Sequence, residues 1–122
     1  VPFEEIKLIR FSSENRANDR LAEYAIDGKP STVWHSQFSQ EKKKHPHELV
    51  IDLGQKRMIN GFYYLARQDK GWNGTFGETE FYVSDNADHF PEEPYVRCMF
   101  KKEKQAQRVK GDKMSCRYVL VR

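Results

Sequence analysis

Leu49-Val50-Ile51-Asp52-Leu53 is the stretch that decides the fold class, because five mostly apolar residues with strand propensity end at Gly54. A second run, Phe62-Tyr63-Tyr64-Leu65, follows the turn pair Asn60-Gly61. Similar runs separated by turn residues occupy positions 80–84, 95–100, 105–109 and 116–121. Short strands at this spacing predict an all-β protein built as an antiparallel sandwich, with one helical turn at residues 18–24.

The length and composition of the chain predict one folded domain, residues 1–122. A chain of 122 residues is long enough to bury a core without depending on disulfide bonds. Its aromatic content of 13% argues against disorder, and no stretch approaches the roughly 20 apolar residues that a membrane span requires. Because Val1-Pro2-Phe3-Glu4-Glu5 is not a signal peptide, we interpret the chain as a domain excised from a longer protein.

The charge of the chain gives little support to a nucleic-acid-binding function. The 21 basic and 18 acidic residues leave a net charge of +3, which is close to balance. Basic residues cluster at Lys42-Lys43-Lys44 and between positions 101 and 113, and we interpret both clusters as solvated surface.

The two cysteines, Cys98 and Cys116, are too few for a disulfide framework. Each lies in a predicted strand, so they could pair across neighbouring strands or remain as thiols in the interior. We expect free thiols, and the two residues do not indicate a cellular compartment.

The loop Ala66-Arg67-Gln68-Asp69-Lys70-Gly71-Trp72-Asn73-Gly74 carries residue types that suit a sugar ligand. Arg67 offers a rigid fork of donors, Asn73 offers a donor and an acceptor, and Trp72 offers a flat apolar face. Sugars present hydroxyls to bond and a C–H face to stack on, so we predict that this loop binds a sugar. Asn73-Gly74-Thr75 is also an N-glycosylation sequon, and a glycan there would block the loop. The sequon therefore favours a bacterial origin, or else it contradicts the sugar-binding role of the loop.

The segment from Tyr24 to His35 contains a strong turn signal, Asp27-Gly28 followed by Lys29-Pro30-Ser31. Asp27 and Thr32 could place oxygen atoms on a hard cation such as calcium. The alternative, which spacing alone favours, is an Asx turn in which Asp27 bonds its own backbone. We expect Trp34 in the core and His35 on the opposite side of an extended segment.

Motifs of catalysis are absent from the sequence. There is no G-x-S-x-G elbow, no H-E-x-x-H pair and no phosphate-binding P-loop. Carboxylates are plentiful, but nothing places two of them the roughly 5–9.5 Å apart that a glycosidase needs. We therefore do not expect an enzyme.

Taken together, these segments resemble the coagulation-factor type C (discoidin) domain, and within it the family 32 carbohydrate-binding modules. The resemblance extends from about residue 16 to 122, and the first domain of galactose oxidase shares the outline. The motifs that carry it are 25–28 with 32–36, His45-Pro46-His47 leading into 49–54, Arg67-Gln68-Asp69 with Asn73-Gly74, 80–84, and Arg117-Tyr118-Val119.

This resemblance implies an eight-stranded jelly-roll sandwich with ligand loops at one end. It implies a non-catalytic module that anchors a glycoside hydrolase to glycans. The ligand positions of the family correspond to His35, Arg67 and Asn73, with Phe38 in the place of an aromatic residue that stacks on the sugar. Trp72 and Phe76 are further stacking candidates.

The resemblance also implies a structural calcium ion, which reverses the preference for a simple Asx turn. Its ligands correspond to the Tyr24 carbonyl, the Asp27 carboxylate, the Lys29 carbonyl and Thr32. The family takes another ligand from an Ala-Glu pair in its last strand. We expect either that this sequence stops before that strand or that the domain lacks it.

The expected partners are glycans ending in galactose, N-acetylgalactosamine or N-acetylglucosamine, and a covalently linked catalytic domain. Neither nucleic acid nor a membrane is expected as a partner. The resemblance favours a secreted, periplasmic or cell-surface bacterial location. Two alternatives remain: a discoidin-type domain that binds membrane lipid or a protein partner, and a structural spacer without a ligand.

Overall fold

The computed structural model describes residues 3–14, 16, 19, 21–29, 31, 32, 34, 36, 47–68, 70 and 76–122. Short 3₁₀ helices at Phe3–Glu5 and Ala22–Ala25 accompany the strands, and no helix of the described residues is long and apolar enough to cross a membrane. The antiparallel all-β class predicted from the sequence is confirmed. The strands in this part of the chain are β1 (Lys7–Phe11), β2 (Leu49–Tyr64), β3 (Glu78–Ser84), β4 (Val96–Met99) and β5 (Gln107–Val121).

The five strands form a sheet in the order β1-β2-β5-β3-β4, and every neighbouring pair is antiparallel. Strand β5 lies in the middle and pairs with two partners. Along its whole length it pairs with β2, from Leu49 opposite Val121 to Tyr64 opposite Gln107. Its last residues also pair with β3, where Phe81 lies opposite Val121.

The division into strands predicted at Gly54 and at Asn60-Gly61 is wrong, because β2 runs through both positions as one strand. The pairing with β5 shifts register on either side of these glycines, so they lie at irregularities and do not end the strand. Gly54 has φ +89° and Gly61 has φ +146°, and a Cβ at Gly61 would collide with the Val109 carbonyl oxygen. Strand β5 likewise joins two of the predicted runs.

Strand β1 was missed by the sequence prediction, because Lys7–Phe11 shows little alternation and only Leu8 of it is packed against the core. The predicted helical turn at 18–24 is present as the 3₁₀ helix Ala22–Ala25, slightly later in the chain. Residues 18 and 20 of that prediction lie outside the described residues.

An aromatic contact shows that the sheet folds over on itself into two layers. Phe62 pairs with Val109 near the start of β5, whereas Phe81 pairs with Val121 at its end. Their rings nevertheless stack, with centroids 4.2 Å apart and planes 8° from parallel. The two halves of the long β2–β5 pair must therefore face each other across the core, as in a sandwich.

The core between these layers contains buried residues from β2, β3 and β5, including Leu49, Phe81 and Val119. A smaller cluster of Val50, Tyr82 and Leu120 covers the other face of the sheet, as strand alternation requires. Both cysteines are free thiols, as predicted. Burial raises the pKa of the Cys98 and Cys116 thiols, which is typical of cysteines held in a core.

An ion pair fixes the point at which β2 changes register. The Arg117 side chain donates to both carboxylate oxygens of Asp52, at 2.9 and 3.1 Å, and the Gly54 N–H donates to the same carboxylate at 2.8 Å. The hydrogen bonds from Arg117 are the main reason that the pKa of Asp52 lies below its usual range. This pair links β2 to β5 and satisfies a backbone donor at the irregularity.

Candidate functional site

The predicted sugar-binding residues divide into two groups. Arg67 and Phe76 lie in the described part of the chain, whereas His35, Phe38, Trp72 and Asn73 lie outside the described residues. Arg67 follows the end of β2 and is half-buried, and Phe76 precedes the start of β3. The structure therefore places the two ends of the predicted sugar-binding loop, and each end is held by identifiable contacts.

The Phe76 end of this loop is anchored on Tyr64, the last residue of β2. The Phe76 N–H donates to the Tyr64 hydroxyl at 2.7 Å, and the two rings stack with centroids 4.4 Å apart. Burial raises the pKa of the Tyr64 phenol, which therefore stays neutral at physiological pH. Phe76 also meets Trp34 edge-on at 6.2 Å, so its ring belongs to the aromatic core. Phe76 therefore anchors this end of the loop, and its contact with a sugar stays a prediction.

The Arg67 end of the loop is joined to a second loop, residues 101–106, by two reciprocal contacts. The Gln68 amide donates to the carbonyl oxygens of Ala66 and Lys104, at 2.8 and 2.9 Å. In the opposite direction, the Lys104 ammonium donates to the Arg67 carbonyl oxygen at 2.8 Å. The two contacts hold the backbone on both sides of Arg67, and we call this pair of contacts the Gln68–Lys104 latch.

The second loop is itself closed by one side chain. The Gln107 amide accepts from the Lys101 N–H and donates to the Lys101 carbonyl, both at 2.8 Å. A side-chain amide thus replaces a backbone partner and fixes the loop where it leaves the edge of the sheet. Neither Gln68 nor Lys104 was singled out from the sequence, since 36 residues separate them and no local pattern connects them.

The predicted calcium-binding turn shows a compact group of oxygen atoms. One Asp27 carboxylate oxygen accepts from the Lys29 N–H at 2.8 Å, which is the Asx turn considered as the alternative. The Thr32 hydroxyl lies 2.6 Å from the other carboxylate oxygen of Asp27 and 3.0 Å from the Lys29 carbonyl. Carboxylate, hydroxyl and carbonyl oxygens from three of the predicted ligands therefore lie close together, and calcium prefers oxygen ligands of these kinds.

Tyr24, the fourth predicted ligand, lies in the 3₁₀ helix just before this turn. Its hydroxyl donates to the Asp19 carboxylate at 2.9 Å, and this hydrogen bond is the main reason that the pKa of Tyr24 is raised. Among the described residues, no three His, Cys, Asp or Glu side chains group as metal ligands. A cation at this turn would therefore depend on backbone carbonyls and Thr32 as well as on Asp27.

Trp34 occupies the position predicted for it. It packs against the main core cluster, and its indole N–H donates to the Ser13 carbonyl at 2.9 Å. This contact ties the segment that precedes the predicted ligand His35 to the end of β1. The same ring contacts Phe76, so the segments that carry His35 and the Arg67–Phe76 loop are joined through the aromatic core.

The model of the F5/8 type C domain family matches residues 9–122. The chain belongs to this family. The resemblance stated from the motifs is thereby confirmed, and the match covers β2 to β5 completely and β1 from Ile9 onward.

Solved structures of family 32 carbohydrate-binding modules (CBM) share the fold. The CBM32-5 module of GH89 from Clostridium perfringens, in complex with GalNAc-β-1,3-galactose, is 26% identical with a TM-score of 0.88, covering 98% of this chain and 84% of that chain. The family 32 module of Clostridium perfringens NanJ, in complex with galactose, is 21% identical with a TM-score of 0.84, covering 99% and 83%. These modules adopt the galactose-binding-like β-sandwich, which agrees with the two layers described above.

Two curated relatives match parts of the chain. A sialidase of Micromonospora viridifaciens is 37% identical over 76 residues, which are 62% of this chain and 12% of the sialidase. A galactose oxidase of Gibberella zeae is 38% identical over 63 residues, which are 51% of this chain and 9% of the oxidase. The matched segment is thus about a tenth of the length of each relative.

Proposed function

We propose that this F5/8 type C domain is a non-catalytic carbohydrate-binding module that holds a secreted glycoside hydrolase on glycans ending in galactose or an N-acetylhexosamine. The observation that carries the proposal is the fixed backbone on both sides of Arg67. The Gln68–Lys104 latch holds one end of the Arg67 loop, and the Tyr64–Phe76 contacts hold the other. Holding the ends of a ligand loop before the ligand arrives reduces the entropy that is lost on binding.

Arg67 and His35 would bond neighbouring hydroxyls of the sugar, and Asn73 would bond a further one. Phe38 or Trp72 would cover the apolar face of the ring. Each neutral hydrogen bond contributes about 1 kcal/mol and a bond from a charged group somewhat more. Because ordering costs offset much of this, a single sugar should bind with a dissociation constant from about 100 μM into the millimolar range.

The proposed role explains how such weak binding is useful. A module linked to a catalytic domain raises the local concentration of its substrate without needing a tight site. The solved modules named above, seen with galactose and with GalNAc-β-1,3-galactose, support this class of ligand. The proposal includes the secreted, periplasmic or cell-surface bacterial location that the resemblance implies, since glycans are reached there.

We also propose that the turn at Asp27 binds calcium, since carboxylate, hydroxyl and carbonyl oxygens meet there; a bound ion would neutralise the carboxylate and fix the loop. Asp27, the Lys29 carbonyl, the Thr32 hydroxyl and the Tyr24 carbonyl would hold it. These residues position the segment that leads to Trp34 and His35, and we assign none of them a contact with the sugar.

The proposal is tested by titrating the domain with galactose, N-acetylgalactosamine and N-acetylglucosamine while amide and indole signals are followed by NMR. Saturable shifts at Trp72, Asn73 and His35 are expected. Arg67→Ala should abolish these shifts, and Arg67→Lys, which keeps the charge but loses the fork of donors, should weaken binding strongly.

The matched control is Arg10→Ala, which removes an exposed arginine of β1 that is paired with Asp88 and makes no contact with the Arg67 loop in the described residues. It should bind sugar as the unaltered domain does. Unchanged binding by a folded Arg67→Ala variant would rule out the site. No shift with any sugar would favour the spacer or a non-glycan partner.

A further inference from the structure

A groove of about 510 Å³ lies between β4 and the start of β5. It exists because β5 pairs with β3 only through residues 118–121, so its first residues diverge from the β3–β4 edge. The two strands that flank the groove are joined by the loop 101–106, which forms one end of it. Gln107 holds this loop closed at Lys101, as described above.

The lining of the groove carries more positive than negative charge. Four of its lining residues are cationic and one, Glu103, is anionic. Arg97 is held by Glu80 at 2.8 Å, and Arg108 lies over the Tyr63 ring at 5.7 Å, so two of the cations are fixed in place. The four cationic residues, all of them exposed, are Arg97, Lys101, Arg108 and Lys110.

The groove and the proposed sugar site lie on either side of the loop 101–106. Lys101 and Glu103 line the groove, and the neighbouring Lys104 donates to the Arg67 carbonyl. The short loop 101–106 is thus all that separates the groove from the Arg67 loop on this side. An oligosaccharide longer than one sugar could extend from Arg67 along this loop.

We propose that the groove binds the sulfate or carboxylate groups of an anionic oligosaccharide whose terminal sugar lies at Arg67. This inference rests on the proposed function and names its ligand class. Clustered lysines and arginines attract anions, and they do so without a deep pocket. A single-stranded nucleic acid would need free aromatic faces for base stacking, and the one aromatic residue in the lining, Phe100, is buried. Tyr63 is exposed beside the groove, but Arg108 lies over one face of its ring.

The experiment compares three tetrasaccharides by calorimetry at 50 and 500 mM NaCl. The first is a neutral, galactose-terminated N-acetyllactosamine chain, and the second is the same chain sulfated on its inner sugars. The third is unsulfated chondroitin ending in N-acetylgalactosamine, which carries carboxylates. The fourth ligand is an oligothymidylate with the same net charge as the anionic tetrasaccharides.

At low salt, at least one anionic tetrasaccharide should bind about fivefold more tightly than the neutral one, and the gain should disappear at 500 mM salt because exposed charges are screened. Tighter binding of the sulfated chain identifies sulfate as the recognised group, and tighter binding of chondroitin identifies carboxylate. Lys101→Glu and Lys110→Glu should each weaken the anionic ligand about threefold and leave the neutral one unchanged. Lys7→Glu, which reverses an exposed lysine on β1, is the control and should change neither.

Equal affinity for neutral and anionic chains would overturn the inference while the proposed function stands. Binding of the oligothymidylate as tight as that of the tetrasaccharides would also overturn it, since the groove would then be a general polyanion surface. Binding of none of the three tetrasaccharides by a folded domain would refute the proposed function, and this inference with it.

Discussion

Tyr64→Phe isolates one hydrogen bond that anchors the predicted ligand loop. The substitution removes only the hydroxyl that accepts the Phe76 N–H at 2.7 Å. The ring remains, so the stack on Phe76 at 4.4 Å and the contact with Phe100 at 4.6 Å are kept. Any loss of stability therefore reports on the hydrogen bond and not on packing.

The expected loss follows from the surroundings of the bond. A buried donor that loses its acceptor costs about 1–3 kcal/mol. Tyr64 and Phe76 are both half-buried, so water can partly replace the hydroxyl, and about 1–2 kcal/mol is the appropriate part of that range. For a domain of this size, this corresponds to a fall in Tm of about 3–8 °C.

The assay is urea unfolding followed by tryptophan fluorescence, together with hydrogen exchange of the Phe76 amide. Exchange at Phe76 should accelerate more than at core amides such as that of Val119. Tyr63→Phe is the matched control, because Tyr63 is the preceding residue in β2 and is 72% exposed. It should change stability by less than about 0.5 kcal/mol. Unaltered stability of Tyr64→Phe, with the Phe76 amide still protected, would refute the reasoning.

Three further predictions concern other contacts. Asp52→Asn should lower the free energy of unfolding by about 1–2 kcal/mol at pH 7. Because the pKa of Asp52 is lowered in the folded state, the difference in stability between the variant and the unaltered domain should shrink as pH falls from about 5 to 3. An equal difference at pH 7 and pH 3 in urea unfolding would contradict this. Gln68→Ala should weaken galactose binding about threefold while stability falls by less than about 1 kcal/mol, and Gln55→Ala, an exposed glutamine on β2, should do neither in the same titrations. Calcium at about a hundred times its dissociation constant should stabilise the domain by about 2.7 kcal/mol in thermal unfolding, and an equal gain in Asp27→Ala would exclude this turn.

The sequence predicts the fold class because strand patterning is local. Most predicted runs contain alternating or continuous apolar residues, and each run lies in or overlaps a strand of the structure. Strand boundaries were harder to predict, since Gly54 and Gly61 usually end strands. Here they allow register shifts inside β2, which depend on its partner β5 and not on neighbouring residues.

Candidate ligand residues could be proposed from the sequence only where the side chain of a single residue suggests binding by itself. Arg67 and Asp27 were identified from residue type and turn context, and the contacts of Asp27 agree with the Asx turn that spacing favoured. The residues that hold Arg67 in place were not found, because Gln68 and Lys104 meet through backbone carbonyls. Every residue has a backbone carbonyl, so the residue types do not show which carbonyl a side chain will bind, and contacts of this kind cannot be predicted from the sequence.

The order of the strands has a consequence for biosynthesis. Strand β5 joins β2 to β3, yet it is the last of the five to leave the ribosome. Until it emerges, the second half of β2 lacks its sheet neighbour, and aromatic residues such as Phe62 lack their core. Pairing over such sequence distances is slow, and unpaired apolar strands are prone to aggregate. The nascent domain is therefore expected to need chaperone protection until nearly its whole length has been translated.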